Sequence, residues 1–452
     1  MRYVSAIFLA FSSLLFCSIE SMAQVNWVKR MGGNSTDLGN HLWVDAEGNT
    51  YVAGSFSVQA KFYKTEVLCA GGGDVFVTKL NKDGIPVWVR TFGGKLDDFA
   101  SAITGDPEGN IYISGIYTDS AQFGDEWLIT KGADLFVAKL SNKGQLTWAK
   151  GMKTSGSALV QAMAVTEQGA VYIGGLFSGS YSKEQPTQLG MTDGFVTKLD
   201  WQGNASWTKV MGGAGFDEVN MLSTDAWGRV VVAGNFDQMM ALDDKLIQGS
   251  GAKSAFVARI EATSRTLWAK GFSGGDGQAH ISDATTDLDG TVFITGKFSG
   301  ECQFGDINRV AVGQTDLFIT AIKSDGFCPW VLALGGKDVD EALSIRQTPD
   351  SKSLIVSGLF NTLIESGRKS LKADFDNQVL FARIDKRGNL DELRKEDFHS
   401  TFQCSGHFSD GKGNLWVCGS FTGKANFGKT GLVSAGEEDI FVASVSDKKI
   451  AR

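Results

Sequence analysis

Apolar and polar positions alternate through most of the chain in short runs, and polar turns rich in glycine separate the runs. Residues 98–151 show the pattern. DFASAIT comes first, then the turn DPEGN, then IYISGIY, where aromatic or branched residues alternate with small ones. A longer connection leads to DLFVAKL, and NKG turns the chain into LTWAKG. A period of two predicts β-strands, and glycine turns between alternating runs predict antiparallel hairpins. This stretch therefore predicts four antiparallel strands, lettered A to D in chain order.

The stretch recurs. A Gly-x-aromatic signal follows a β-rich run at Gly54, Gly115, Gly175, Gly234, Gly296, Gly358 and Gly419, spaced 59 to 62 residues apart. A second signal, of the form D-x-F-V-x-K-L, appears as DVFVTKL, DLFVAKL, DGFVTKL, SAFVARI, DLFITAI, QVLFARI and DIFVASV. A third places tryptophan at Trp27, Trp88, Trp148, Trp207, Trp268 and Trp330, with Glu392 at the seventh place. Four strands per repeat cannot bury both faces of their own sheet. Radial stacking lets each sheet cover the next, which predicts an all-β, seven-bladed β-propeller with four antiparallel strands per blade. VNWVKRMGG at 25–33 supplies only a strand D, and the chain stops after a strand C at 439–445. Pairing strand 25–30 with strand 439–445 would close the ring, whereas an open array would leave Trp27 on an exposed edge.

GNTYVAGSF at 48–56, GGGDVFVTKL at 71–80 and WVRTFGGKLDD at 88–98 resemble the motifs of the bacterial β-propeller repeat family, of the SBBP type. The resemblance covers residues 24–452. It implies an exported or surface protein and says little about activity. The sixth repeat departs from the pattern. QTPDSKS replaces the Gly-Asn turn, DNQVLF loses Asp-x-Phe, and LDELRKEDFHS loses both Trp and Gly-Gly.

Composition narrows the function classes. Gly 56 against Pro 5 suits many strands and tight turns. A net charge of −8 without a basic cluster speaks against a nucleic-acid partner. In residues 1–23 Arg2 is the only charge before an apolar run from about Ala6 to Cys17, and a small-x-small exit follows at Ser21-Met22-Ala23, which predicts a secretory signal peptide. Lipidation at Cys17 is the alternative. No later stretch is apolar enough to span a membrane, so the expected location is the periplasm, the outer-membrane surface or the medium. Five cysteines follow residue 23. Cys404 and Cys418 flank the predicted turn at Asp410–Gly413, and antiparallel pairing would bring them together as a disulfide or as two small buried side chains.

Candidate chemistry is sparse. Acids recur at the D-to-A handover (Asp37, Asp97, Asp98, Asp217, Glu218, Asp340, Glu341) and before strand C (Asp74, Asp134, Asp193, Asp316, Asp439). They read as an acidic mouth or as side chains accepting backbone N–H groups in their own turns, and repetition favours the second. His41, His280, His399 and His407 fall in predicted strands A. His41, His399 and His407 would meet at the ring closure, yet no zinc motif supports a metal site. Asp287-Leu288-Asp289-Gly290 is a fragment of a calcium loop lacking the remaining ligands. No catalytic motif or cofactor loop is present. Trp201 and Trp227, in turns of adjacent blades on one face, are the binding candidates. The expected function is an exported, non-catalytic protein-interaction module, with a glycan-binding surface protein as the alternative and an enzyme at the channel mouth third.

Overall fold

The computed structural model describes residues 24–450, except 155, 180–188, 251–252, 368, 375, 400–402, 428 and 448. The expected signal peptide at 1–23, with Cys17, lies outside the described residues. The described residues form thirty-six β-strands and no helix. In repeat 1 the strands Asp37–Val44, Thr50–Phe62, Thr65–Leu80 and Pro86–Gly94 pair antiparallel in the order A–B–C–D. The same A–B–C–D pairing recurs in the repeats that follow, giving an all-β propeller architecture. In repeat 7 the first three strands are Gln403–Ser409, Asn414–Phe421 and Asp439–Ser446. The fourth is the N-terminal strand Gln24–Gly33, with Val25 opposite Val445 and Met31 opposite Ile440.

The surplus strands lie in the long B–C connection. In repeats 1 and 2 strands B and C run on into a two-stranded extension. In repeats 4 to 7 the extension is a separate short hairpin, such as Met239–Leu242 with Lys245–Gln248.

Burial explains the patterning. Strands B and C are buried on both faces, because another sheet covers each side, and they read as near-continuous apolar runs. Strands A alternate, with one face turned inward to the axis. Among the described residues, seven apolar clusters lie between consecutive sheets. One packs Ile103, Ile113 and Phe136 of repeat 2 against Tyr51, Ala53 and Val77 of repeat 1. Another packs Trp416, Cys418 and Val442 of repeat 7 against Leu42, Val52 and Phe76 of repeat 1.

The repeat motifs are devices for joining neighbouring sheets. Each strand-D tryptophan donates its indole N–H to the C–D turn of the next repeat: Trp27 to the Lys82 carbonyl at 2.9 Å, Trp88 to Asn142 at 3.2 Å, and Trp330 to Lys386 at 3.1 Å. The turn glycine lies over the ring. A Cβ on Gly84, itself at φ +73°, would come within 2.5 Å of Trp27. The second glycine of Gly-Gly answers a backbone approach, since a Cβ on Gly94 would sit 1.8 Å from the Ser120 carbonyl oxygen of the next repeat.

Repeat 6 breaks the tryptophan rule where its receptor changes. After Ser446 the chain forms the turn Asp447–Ile450 in place of a C–D hairpin. Arg394 ion-pairs with Asp447 there, and Glu392 holds Arg394 at 2.7 Å. A carboxylate–guanidinium link thus replaces the indole latch. The loss of Gly-Gly also lets the outer strand run on through Leu390–His399, opposite Gln378. His399 is therefore in a strand D, contrary to the expected inner strand.

The expected Cys404–Cys418 bond is not formed; both are free thiols. Cys404 lies opposite Gly419, so alternation turns Cys418 to the other face of the sheet. Cys404 packs toward repeat 6 and Cys418 toward repeat 1.

Candidate functional site

The inner strands are Asp37–Val44, Phe99–Gly105, Ala158–Val165, Glu218–Thr224, Gln278–Thr286, Glu341–Gln347 and Gln403–Ser409. Consecutive inner strands lie side by side, and that of repeat 7 lies against those of repeats 6 and 1. Each carries one β-bulge at the same level. The bulged residues are Asn40, Ser101, Gln161, Asn220, Ser282, Leu343 and Ser405. A bulge leaves its residue out of the ladder and re-aims the side chain. The result is a ring of residues, all but one polar, of which Gln161, Asn220, Ser282, Leu343 and Ser405 line a cavity of about 640 Å³.

Part of this ring stitches the strands together. Asn40 donates to the Ala100 carbonyl at 2.8 Å and Ser101 to that of Val160 at 2.6 Å. Gln161 donates to Glu218 at 3.2 Å, and Asn220 to Asn235 at 2.9 Å. On the other side Asp283 accepts from Ser344 at 2.7 Å, from the Ile345 N–H at 3.0 Å and from Arg346 at 2.5 Å. Lys297 pairs with Glu341 at 2.6 Å.

Three of the predicted histidines line this cavity: His41, His280 and His407. Burial disfavours each imidazolium. It pushes His41 down to about 4, aided by the charge of His407. His407 is also lowered, by burial and then by Arg346, against the pull of Asp283. Among the described residues, no group of three or more His, Cys, Asp or Glu is placed to hold a metal. Burial pushes the Cys404 thiol up to about 12, which keeps it protonated.

The recurring acids sit in turns. Asp98 accepts from the Gly94 N–H at 2.7 Å and the Thr118 N–H at 2.9 Å, and Asp340 accepts from Gly336 and Asn361 in the same way. Asp74 accepts from Ala70 at 2.8 Å and Asp316 from Val312 at 3.0 Å. All four are buried, so they form no acidic mouth. Desolvation raises Asp37, Asp98, Asp217 and Asp340 to about 6 against the lowering effect of these N–H groups. In the calcium-like fragment, Asp287 accepts from the N–H groups of Asp289 and Thr291 and pairs with Lys386, the arrangement of a plain turn.

Trp201 and Trp227 are 70% and 53% exposed. Their turns face different neighbours. The Trp201 carbonyl caps Trp148 of repeat 2, while the Trp227 turn accepts a hydrogen bond from Tyr172 of repeat 3 through Gly228. One face of Trp227 is covered by the Arg229 guanidinium, 4.5 Å from the ring centre.

A feature that sequence reading missed lies at the D-to-A loops. At the junction of repeats 3 and 4, Leu189, Phe216 and Met239 are exposed together around the loop Gly213–Phe216. At the junction of repeats 5 and 6, Val312, Val339 and Leu363 occupy the equivalent places, also exposed. The same positions at two other junctions carry Ala70, Asp97 and Ser120, and Ala435, Thr36 and Gln59. The fold therefore does not require the apolar residues.

No protein-family model matches the chain. An uncharacterized WD repeat-containing protein of Acanthamoeba polyphaga mimivirus is 22% identical over 238 residues, 44% of this chain and 17% of that protein. The chain thus matches about a sixth of that relative's length. The Neurospora crassa Pan2 WD40 domain aligns with a TM-score of 0.45 at 10% identity, covering 90% of this chain and 89% of that domain. The Dos1 propeller aligns with a TM-score of 0.43 at 9% identity, covering 93% and 95%. No helix among the described residues is long and apolar enough to cross a membrane.

Proposed function

We propose that this chain is an exported, non-catalytic protein-interaction module: a closed seven-bladed propeller of the bacterial β-propeller repeat type, docking a partner in the cell envelope or at the cell surface. The observation that carries the reading is the pair of exposed apolar triads, Leu189, Phe216 and Met239 and Val312, Val339 and Leu363, on loops where two equivalent junctions carry small or polar residues. Exposed apolar clusters on a rigid scaffold mark contact surfaces. Support for the blade count comes from seven A–B–C–D pairing sets, from the Gln24–Gly33 pairing with Asp439–Ser446, and from the cluster between repeats 7 and 1. Export rests on residues 1–23.

The test is affinity purification from native envelopes with wild type and a Phe216→Asp/Val339→Asp double variant as bait. A partner captured by wild type and lost from the variant supports the proposal. An unchanged captured set removes these triads from it. Glycan binding is the second reading, favoured by the exposed faces of Trp201 and Trp227. A glycan array would remove it if the W201A/W227A variant bound as wild type does.

A further inference from the structure

Among the described residues, every charged side chain that lines the inner cavity has its counter-ion there. Lys297 pairs with Glu341 at 2.6 Å and Arg346 with Asp283 at 2.5 Å, and all four line the cavity. His41, His280 and His407 line it too, and burial lowers all three, so their rings are neutral at physiological pH. The lining therefore carries no net charge. An ionic ligand would have to break one of these pairs or enter without a partner, and both are costly.

The groups left open for bonding are uncharged. Gln161 gives one amide N–H to Glu218 at 3.2 Å. Asn235 donates to the Ala279 carbonyl at 2.7 Å, so its Oδ1 accepts from Asn220 at 2.9 Å and from the His280 Nδ1 at 2.9 Å. Gln161 and Asn220 each keep a second amide N–H, and the Gln161 Oε1 and Asn220 Oδ1 are buried with no partner. The His41 Nδ1 is also buried with no partner. Such atoms are costly to leave unpaired.

The arrangement of these groups narrows the ligand further. Gln161 and Asn220 are bulged residues of repeats 3 and 4, and the bulged Ser282 and Ser405 of repeats 5 and 7 add hydroxyls at the same level. An amide or a hydroxyl presents a donor and an acceptor side by side. The cavity is thus ringed at one level by groups that both give and take hydrogen bonds. One rung deeper on the same strands, Met163 and Leu222 line it with apolar surface, and Trp43 and Phe408 line it from repeats 1 and 7.

We infer that the channel is a binding site for a neutral cyclic polyol of the pyranose or inositol class. Its hydroxyls radiate from the edge of one ring, and each both donates and accepts, which matches groups converging from strands around an axis. Its C–H face lies on the apolar rung of Met163 and Leu222. It carries no charge, so both ion pairs of the lining stay intact. A cavity of about 640 Å³ is of the size that takes a small ligand. This site lies on the inner strands, apart from the turns of Trp201 and Trp227, and does not depend on the partner-docking reading.

The test uses purified full chain with glucose, galactose and myo-inositol as neutral rings, and with the amino and uronate forms of the two sugars as the same rings carrying a charge. Isothermal titration reads affinity. At least one neutral ring is expected to bind one to one, and its charged forms, or all four where only inositol binds, roughly tenfold or more weakly. Gln161→Leu and Asn220→Leu are each expected to weaken the neutral ring by a similar factor, and the W201A/W227A variant to bind it as wild type does. No binding of any neutral ring at tens of millimolar, or charged rings that bind as tightly as neutral ones, would overturn the inference even if neither leucine variant folded. Unchanged binding by folded Gln161→Leu and Asn220→Leu proteins would overturn it too. Binding lost from the W201A/W227A variant would place the sugar on the outer turns and remove it from the channel.

Discussion

Asp98 offers the sharpest test of how the repeat junctions are built. Its carboxyl is buried, accepts two backbone N–H groups and lies near Asp74, whose Oδ1 has no partner. Desolvation outweighs the two N–H groups and raises its pKa from 3.8 to about 6. In the unfolded chain the group ionises near its ordinary value of about 4. The native state therefore keeps a proton that the unfolded state has lost between those values. The group's favourable contribution is complete below about pH 4 and is lost as pH rises through the folded value near 6. A shift of about 2 units corresponds to about 3 kcal/mol at neutral pH.

Asp98→Asn removes this titration. At low pH the variant should be the less stable, because an amide nitrogen cannot accept the second N–H. The difference should then move in the variant's favour by about 3 kcal/mol between pH 4 and pH 7.5. The comparison must be a difference between proteins. His41, His280 and His407 have lowered values, so their native state is disfavoured as pH falls through the same window, which masks the carboxyl in wild type alone. Urea denaturation of both proteins at four pH values measures it. A difference that stayed flat, or moved against the variant as pH rose, would show that desolvation does not dominate at this junction.

Three further outcomes are expected. Trp268→Ala should cost about 3–5 kcal/mol, read as a lowered thermal midpoint, because the indole is buried and its N–H meets the Ser324 carbonyl at 3.1 Å. Gly94→Ala should destabilise by more than about 3 kcal/mol, since its Cβ would lie 1.8 Å from the Ser120 oxygen, whereas Gly169→Ala meets nothing within 4 Å and should cost about 1 kcal/mol for its positive φ. Similar urea midpoints for the two would contradict the close-approach account. Deleting residues 24–33 uncovers the edge of Asp439–Ser446 and should turn a single size-exclusion peak into aggregates, and a stable monomer would show that the N-terminal strand is dispensable.

Strand type, repeat length and the order of strands within each repeat were legible because a half- or fully buried strand writes its burial directly into a period of two. The tryptophan phrase and the Gly-Gly pair were legible as recurrences, and the pairing of Gln24–Gly33 with Asp439–Ser446 follows from where the repeat is cut. Their physical meaning was not legible, because an indole capped by the next turn and a glycine under the next carbonyl are contacts between repeats some 60 residues apart. His399 was assigned to an inner strand because a local pattern does not reveal that a strand lacking its glycines runs on. Cys404 and Cys418 were brought together by counting residues, while the bulge at Ser405 and the two faces of the sheet set them apart. The ring of bulged residues and the unpartnered acceptors of Gln161 and Asn220 existed only once the inner strands were side by side. Sequence by itself determines which surfaces each sheet must bury. Tertiary structure alone decides which polar atoms are left without a partner, because that depends on every neighbour at once.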